Sequence, residues 1–137
     1  EVGADIYQRR SAELRDRKIV HAQAVKNNRL AVAAYEQAWQ EKVERIGNLN
    51  YPEDVRRDRL AGTLVLAVGI KPDGSVYSTQ IQQSSGQAAV DLAARHIVEL
   101  AAPFAPLPED IREEVDVLVI TRTWRFDSDY RLEMGAR

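Results

Sequence analysis

His21 and His96 are the only imidazoles in the chain, and no cysteine accompanies them. Metal sites draw on clustered His, Cys and carboxylates, and neither histidine has a partner at ligand spacing. Without thiols, disulfide scaffolds, Fe–S clusters and cysteine nucleophiles are excluded together. Ser84, Ser85, Asp91 and His96 are the residue types of an acyl-transfer triad. Asp91 and His96, however, stand five apart on one expected helix and point to different faces. Ser84-Ser85-Gly86 ahead of a helix reads as an N-terminal cap. A hydrolase built on Ser85 and His96 would lose turnover on Ser85→Ala; no turnover is expected at all. Gly62, Gly69 and Gly74 lie in or around strands, not between a strand and a helix, so they make no phosphate loop. Glu109, Asp110, Glu113 and Glu114 lack calcium-loop spacing and read as a solvated face. Arg9, Arg10, Arg15, Arg17 and Lys18 are interleaved with Asp5, Glu13 and Asp16 and have no aromatic stacking platform. They read as charged helix surface, and no nucleic-acid partner is expected. Catalytic, cofactor-binding and metal-ligating residues are all expected to be absent, so the chain reads as a non-enzyme.

The chain has 137 residues, 45% apolar and 29% charged, with 19 basic against 21 acidic side chains. That is one domain with an appendage, and its near-neutral charge draws it to neither DNA nor anionic lipid. The longest apolar run, Thr63 to Ile70, has the length of a strand and falls far short of the ~20 residues that span a bilayer. The first residue is Glu1 and no signal-peptide pattern follows, so a processed product or an excised fragment is expected.

All five prolines follow Gly47, whereas Ala, Arg, Glu, Gln and Lys dominate before it. Residues 5–25 predict a mostly polar helical arm, interrupted at Asn27-Asn28. From Leu30 to Ile46, Tyr35, Trp39, Val43 and Ile46 share one helix face, with Gly47 at the C′ position. Asn48 to Pro52 is a loop leading into a short helix toward Arg59. Thr63 to Lys71 alternates as a strand, Pro72-Asp73-Gly74 turns the chain, and a second strand runs from Ser75 to Gln83. Val76 and Ile81 have opposite parity there, which predicts a bulge. Gln87 to Ala101 is a helix burying Val90, Ala93, Ala94, Ile97 and Ala101. Val115 to Phe126 is the last strand, and the polar residues after it are expected to fray.

The reading is α+β: a β-β-α-β unit with a three-stranded antiparallel sheet of order two-one-three, helices on one face and a helical arm in front. The expected divisions are a charged arm (1–29), the folded domain (30–126) and a polar tail (127–137). The Tyr35/Trp39 face should dock on a core that would otherwise be marginal. In this order strand three is a long edge without Gly or Pro. Arg122 and Arg125 could guard it, or it could accept an extended peptide.

Tyr51-Pro52, the alternating strand after Gly62, Asp73-Gly74, Ser84-Ser85-Gly86, Asp91-Leu92-Ala93-Ala94, Phe104-Ala105-Pro106 and Trp124-Arg125-Phe126 follow in order. This series resembles the C-terminal domain of TonB energy transducers over roughly residues 30–126. The resemblance implies a periplasmic domain of an inner-membrane protein with a single-pass anchor, energised by ExbB–ExbD through that anchor. It also implies binding to TonB-dependent outer-membrane transporters, whose TonB box would add a strand to the last strand. The contact residues would be Val117, Val119, Thr121, Arg122, Thr123, Trp124, Arg125 and Phe126. The segment Asn48, Leu49, Asn50, Tyr51 and Pro52 would approach the transporter plug. Tyr51 and Pro52 match the family's Gln-Pro-x-Tyr-Pro segment, whereas Asn48 and Leu49 depart from it. An envelope scaffold of the same fold is the alternative, and an open edge would also allow a strand-swapped homodimer.

Overall fold

The computed structural model describes residues 18–136, so Arg9, Arg10, Arg15 and Arg17 lie outside the described residues. Among the described residues, five strands form one sheet: β1 (Ile19–His21), β2 (Gly62–Ile70), β3 (Val76–Gln83), β4 (Val117–Asp127) and β5 (Arg131–Ala136). Four helices join them: α1 (Arg29–Leu49), α2 (Glu53–Arg57), α3 (Ala88–Ala101) and α4 (Glu109–Arg112). The strand order is β1-β4-β2-β3, and β5 also pairs with β4.

Alternation explains the layers. Leu64, Leu66, Val68 and Ile70 of β2 share the core with Leu118, Ile120, Trp124 and Phe126 of β4. α1 and α3 cover this face through Tyr35, Trp39, Val43, Val90, Ala94 and Ile97. The opposite face carries a smaller cluster of Ala67, Val117 and Val119 beside Tyr77. β2 and β3 pair antiparallel, with a register shift between Gly69 and Ile70 that lets both Val76 and Ile81 reach the core. The expected bulge is therefore present.

At Gly74 the chain turns with φ +91°, and a Cβ there would meet the Phe104 carbonyl oxygen at 2.1 Å. Phe104 N–H in turn donates to the Gly74 carbonyl at 2.9 Å. The hairpin turn and the proline-rich loop thus touch backbone to backbone, which only glycine permits.

Several expectations are corrected. The sheet has five strands, not three. Ile19–His21 is a short strand and Ala22–Ala24 a 3₁₀ turn, so this part of the expected helical arm is not α-helical. α1 continues to Leu49, which places Gly47 inside the helix. Its requirement is space: a Cβ on Gly47 would lie 2.6 Å from Leu132 Cδ2. The expected frayed tail is a strand, because Leu132 and Met134 alternate inward and are buried.

Candidate partner-binding edge

The edge of β4 opposite β2 is the surface the sequence nominates, and it is not open. β1 runs parallel along its start, pairing Ile19, Val20 and His21 with Val117, Leu118 and Val119. β5 runs antiparallel along its end, from Arg122 opposite Ala136 to Asp127 opposite Arg131. Between the two, Ile120 and Thr121 face no strand on that side among the described residues. The Thr121 carbonyl instead accepts from Arg122 Nη1 at 3.0 Å. A strand this long with a bare edge invites aggregation, and β1 and β5 cover most of it. The expectation of an exposed edge is thereby overturned.

β1 is held at its leading residue. Lys18 N–H donates to Asp116 Oδ2 at 2.8 Å, and the Lys18 carbonyl accepts from the N–H groups of Asp116 and Val117. β5 is held more elaborately. Asp127 to Tyr130 forms a tight turn, with Tyr130 N–H donating to the Asp127 carbonyl and Tyr130 at φ +63°. Leu132 and Met134 enter the core, whereas Arg131 and Glu133 face solvent. The backbone of β5 that points away from β4 meets side chains of α1. Asn48 Oδ1 accepts from Leu132 N–H at 2.8 Å, and Asn48 Nδ2 donates to the Leu132 carbonyl at 3.1 Å. Two turns earlier, Gln40 Nε2 donates to the Met134 carbonyl at 3.0 Å. These amides stand in for a further strand and leave β5 without a sticky outer edge.

Arg122 does not guard the edge from outside. It lies on the core face, where its guanidinium pairs with Glu36 at 2.7 Å and donates from Nε to Gln40 Oε1 at 3.0 Å. Both side chains of that ion pair are largely buried. Arg125 faces outward and pairs with Glu133 at 2.6 Å across the hairpin.

The nominated residues therefore divide. Val117, Trp124 and Phe126 are fully buried, and Val119 nearly so. They could offer a partner only their backbone. Thr121 and Thr123 are half-buried and Arg125 is exposed, all on the face away from α1. In the other segment, Asn48 clamps β5, while Leu49 is 75% exposed. Asn50 caps α1, its backbone and side-chain N–H groups both donating to the Ile46 carbonyl. Pro52 is the N-cap of α2. Tyr51 packs edge-on against Phe126 and Tyr130, with centroids 5.9 and 6.4 Å away. Its hydroxyl is buried without a partner. Burial, seconded by the nearby Asp127 charge, pushes the phenol pKa up. The structure thus brings both nominated segments together at one corner, with the β4–β5 turn between them.

Gln40 and Leu132 are the contributors that sequence reasoning missed. The signal for Gln40 is weak: it neighbours Trp39 on α1, and nothing in its local sequence points to a strand 94 residues away. Leu132 and Met134 do alternate, the one available hint of β5.

The serine–aspartate cluster is not a triad, and the expected serine cap is corrected: Gln87 is the N-cap of α3, and no side chain caps it. Ser84 and Ser85 both donate their hydroxyls to the Asp91 carboxylate, joined by Ser85 N–H at 2.9 Å. Burial alone would raise the Asp91 pKa, but these hydrogen bonds outweigh it and the pKa is lowered. His96 is exposed and lies 3.8 Å from Glu99, and the Ser84 and Ser85 hydroxyls go to Asp91 instead. Among the described residues no group of three His, Cys, Asp or Glu could hold a metal ion, and no helix is long and apolar enough to cross a membrane.

Fold and edge together define a small α+β domain in which a long strand is completed by two short strands. Residues 47–128 match the family of the Gram-negative bacterial TonB protein C-terminal, and the chain belongs to that family. A curated relative, Protein TonB of Pasteurella multocida (strain Pm70), is 32% identical over 91 residues. That stretch is 66% of this chain and 35% of the relative, so the chain spans about a third of that protein's length. A solved structure of HasB CTD covers 77% of this chain and 72% of its own, at 21% identity and a TM-score of 0.42.

Proposed function

We propose that this domain is the partner-gripping part of a TonB-type energy transducer, working in the periplasm and performing no catalysis of its own. In this reading it takes up an extended TonB-box segment of an outer-membrane transporter by strand addition to β4. ExbB–ExbD drives it through an inner-membrane anchor on the same protein. Family membership supports the coupling role. The observation that carries the mode of binding is the way β4 is completed. Its outer edge is filled by two short segments, β1 with three residues and β5 with six, and not by one continuous strand. β5 hangs on a tight turn and can leave while β2, β3 and β4 stay paired.

Strand exchange of this kind is close to balanced, because an incoming strand remakes the ladder that β5 gives up. The cost is the rarity of the open state. If β5 docks by about 2–3 kcal/mol, the open fraction is roughly 0.6–3%, and apparent affinity falls by about 30- to 160-fold. Such a grip is reversible, as cyclic pulling requires. The Tyr51 corner lies beside the vacated groove and would meet the transporter plug.

Titration of the isotopically labelled protein with TonB-box peptides tests this reading. The expected result is loss of the native Leu132 and Met134 amide signals with shifts along Val117–Phe126. Shifts confined to other surfaces, with β5 unchanged, would refute it.

The covered edge also favours a second reading, an envelope scaffold of the same fold that never exchanges β5. Cross-linking in intact cells separates the two: recovery of outer-membrane transporters supports the first, and recovery of other envelope proteins alone supports the second.

A further inference from the structure

β5 is a strand the groove already reads, so its own side chains report what the groove accepts. Leu132 is buried directly on Gly47, whose missing Cβ makes room for it, with Ile97 beside the same glycine. Met134 fills a second inward position opposite Trp124. Glu133, between them and outward, meets Arg125 at 2.6 Å. Gly135 follows outward, with open space around it. Asn48 and Gln40 fix the backbone at Leu132 and Met134 and thereby set the register. These recognising groups sit on α1, α3 and β4, and none belongs to β5 itself.

We infer that the groove selects a partner segment of one chemical pattern: large aliphatic, acidic, large apolar, in consecutive extended residues. Gly47, Arg125, Asn48 and Gln40 are its specificity-determining residues. The inference rests on the proposed strand exchange and adds which sequences can exchange. The aliphatic position is the strictest, because an added polar group there would be buried against Gly47 and Ile97 with no partner. The acidic position is a preference only, since Arg125 and Glu133 are both about half exposed and water competes. The backbone positions demand an extended strand with free N–H groups, so proline in place of the first aliphatic residue would lose the Asn48 contact.

The test uses the full chain carrying Leu132→Ala, which loosens the resident strand, with Met134→Ala as a second such chain. Retained hydrogen-exchange protection in β2 shows that each is folded. Three synthetic hexapeptides are titrated: Arg-Leu-Glu-Met-Gly-Ala, the same with Lys for Glu, and the same with Asp for Leu. The first should bind and shift the Asn48 and Gln40 side-chain amide signals. The lysine peptide should bind roughly threefold or more weakly, and Arg125→Glu in the protein should reverse that order. The aspartate peptide should bind ~30-fold or more weakly. If all three displace β5 equally well, the selectivity is overturned while strand exchange stands. If none displaces it in either chain at millimolar concentration, both are overturned. If the peptides instead bring two copies of the chain together through swapped β5 strands, the groove serves self-association and the inference fails.

Discussion

Leu132→Ala should free β5 without unfolding the domain. Leu132 is 1% exposed and wedged against Gly47 and Ile97. Truncating a buried leucine costs about 2–5 kcal/mol, depending on how far the site collapses. Leu132 sits on Gly47 of α1 as part of the main core cluster, and Met134 remains to hold the far end of the strand. If β5 opens as a unit, the loss is charged to that local opening and not to global unfolding. At about 1.4 kcal/mol per tenfold, exchange of the Leu132 amide should accelerate some 30-fold or more, up to the ~160-fold that a docking of about 3 kcal/mol allows. Amides of β2, such as Val68 between β3 and β4, should keep their protection. Residue-resolved hydrogen exchange on the wild-type chain and the variant measures both. Equal acceleration in β5 and β2 would mean that β5 is part of the global core, and the exchange argument would fail.

Trp39 is 3% exposed and packs against Phe104 at 5.8 Å. Trp39→Ala should cost about 3–5 kcal/mol, read as a drop of roughly 10 °C or more in thermal midpoint; an unchanged midpoint would show that α1 is merely attached. Asp91 has a lowered folded pKa, so its contribution is present above the unfolded value of about 3.9 and is lost as pH falls through the folded one. Asp91→Asn should therefore be less stable than wild type at pH 7, with the difference vanishing in acid; a difference that persists in acid would contradict the role of the Asp91 charge in holding Ser84 and Ser85. Gly74→Ala should destabilise the fold severely, because its Cβ meets the Phe104 backbone; a midpoint within a degree of wild type would refute that contact.

Local patterns were legible where each residue's fate is set by near neighbours. The alternation of β2, the Tyr35/Trp39/Val43 face of α1, and the parity clash between Val76 and Ile81 all follow from spacing. The covering of β4 was not legible, for a physical reason. β1 is three residues long, and its contact with the start of β4 joins positions 98 apart in sequence. β5 carries only two large apolar residues between charges, and their burial depends on Gly47 and Asn48 more than eighty residues earlier. Gly47 itself looked like a helix terminator, since the pattern cannot distinguish a glycine that ends a helix from one that makes room for a leucine. Arg122 shares parity with Trp124, and that parity placed it inward; its charge suggested the outside, and the Glu36 and Gln40 partners on α1 decide the matter.

In the proposed mode of binding, β5 must leave before a partner strand can pair with β4. Thr123 and Gly135 face each other across β4 and β5, a Cβ at Gly135 meets nothing within 4 Å, and the chain has no cysteine to interfere. A Thr123→Cys/Gly135→Cys chain can therefore lock β5 in place when oxidised and release it when reduced. With a TonB-box peptide of an outer-membrane transporter, the account predicts binding to the reduced chain and at least a tenfold loss on oxidation. Equal binding in both redox states would contradict it.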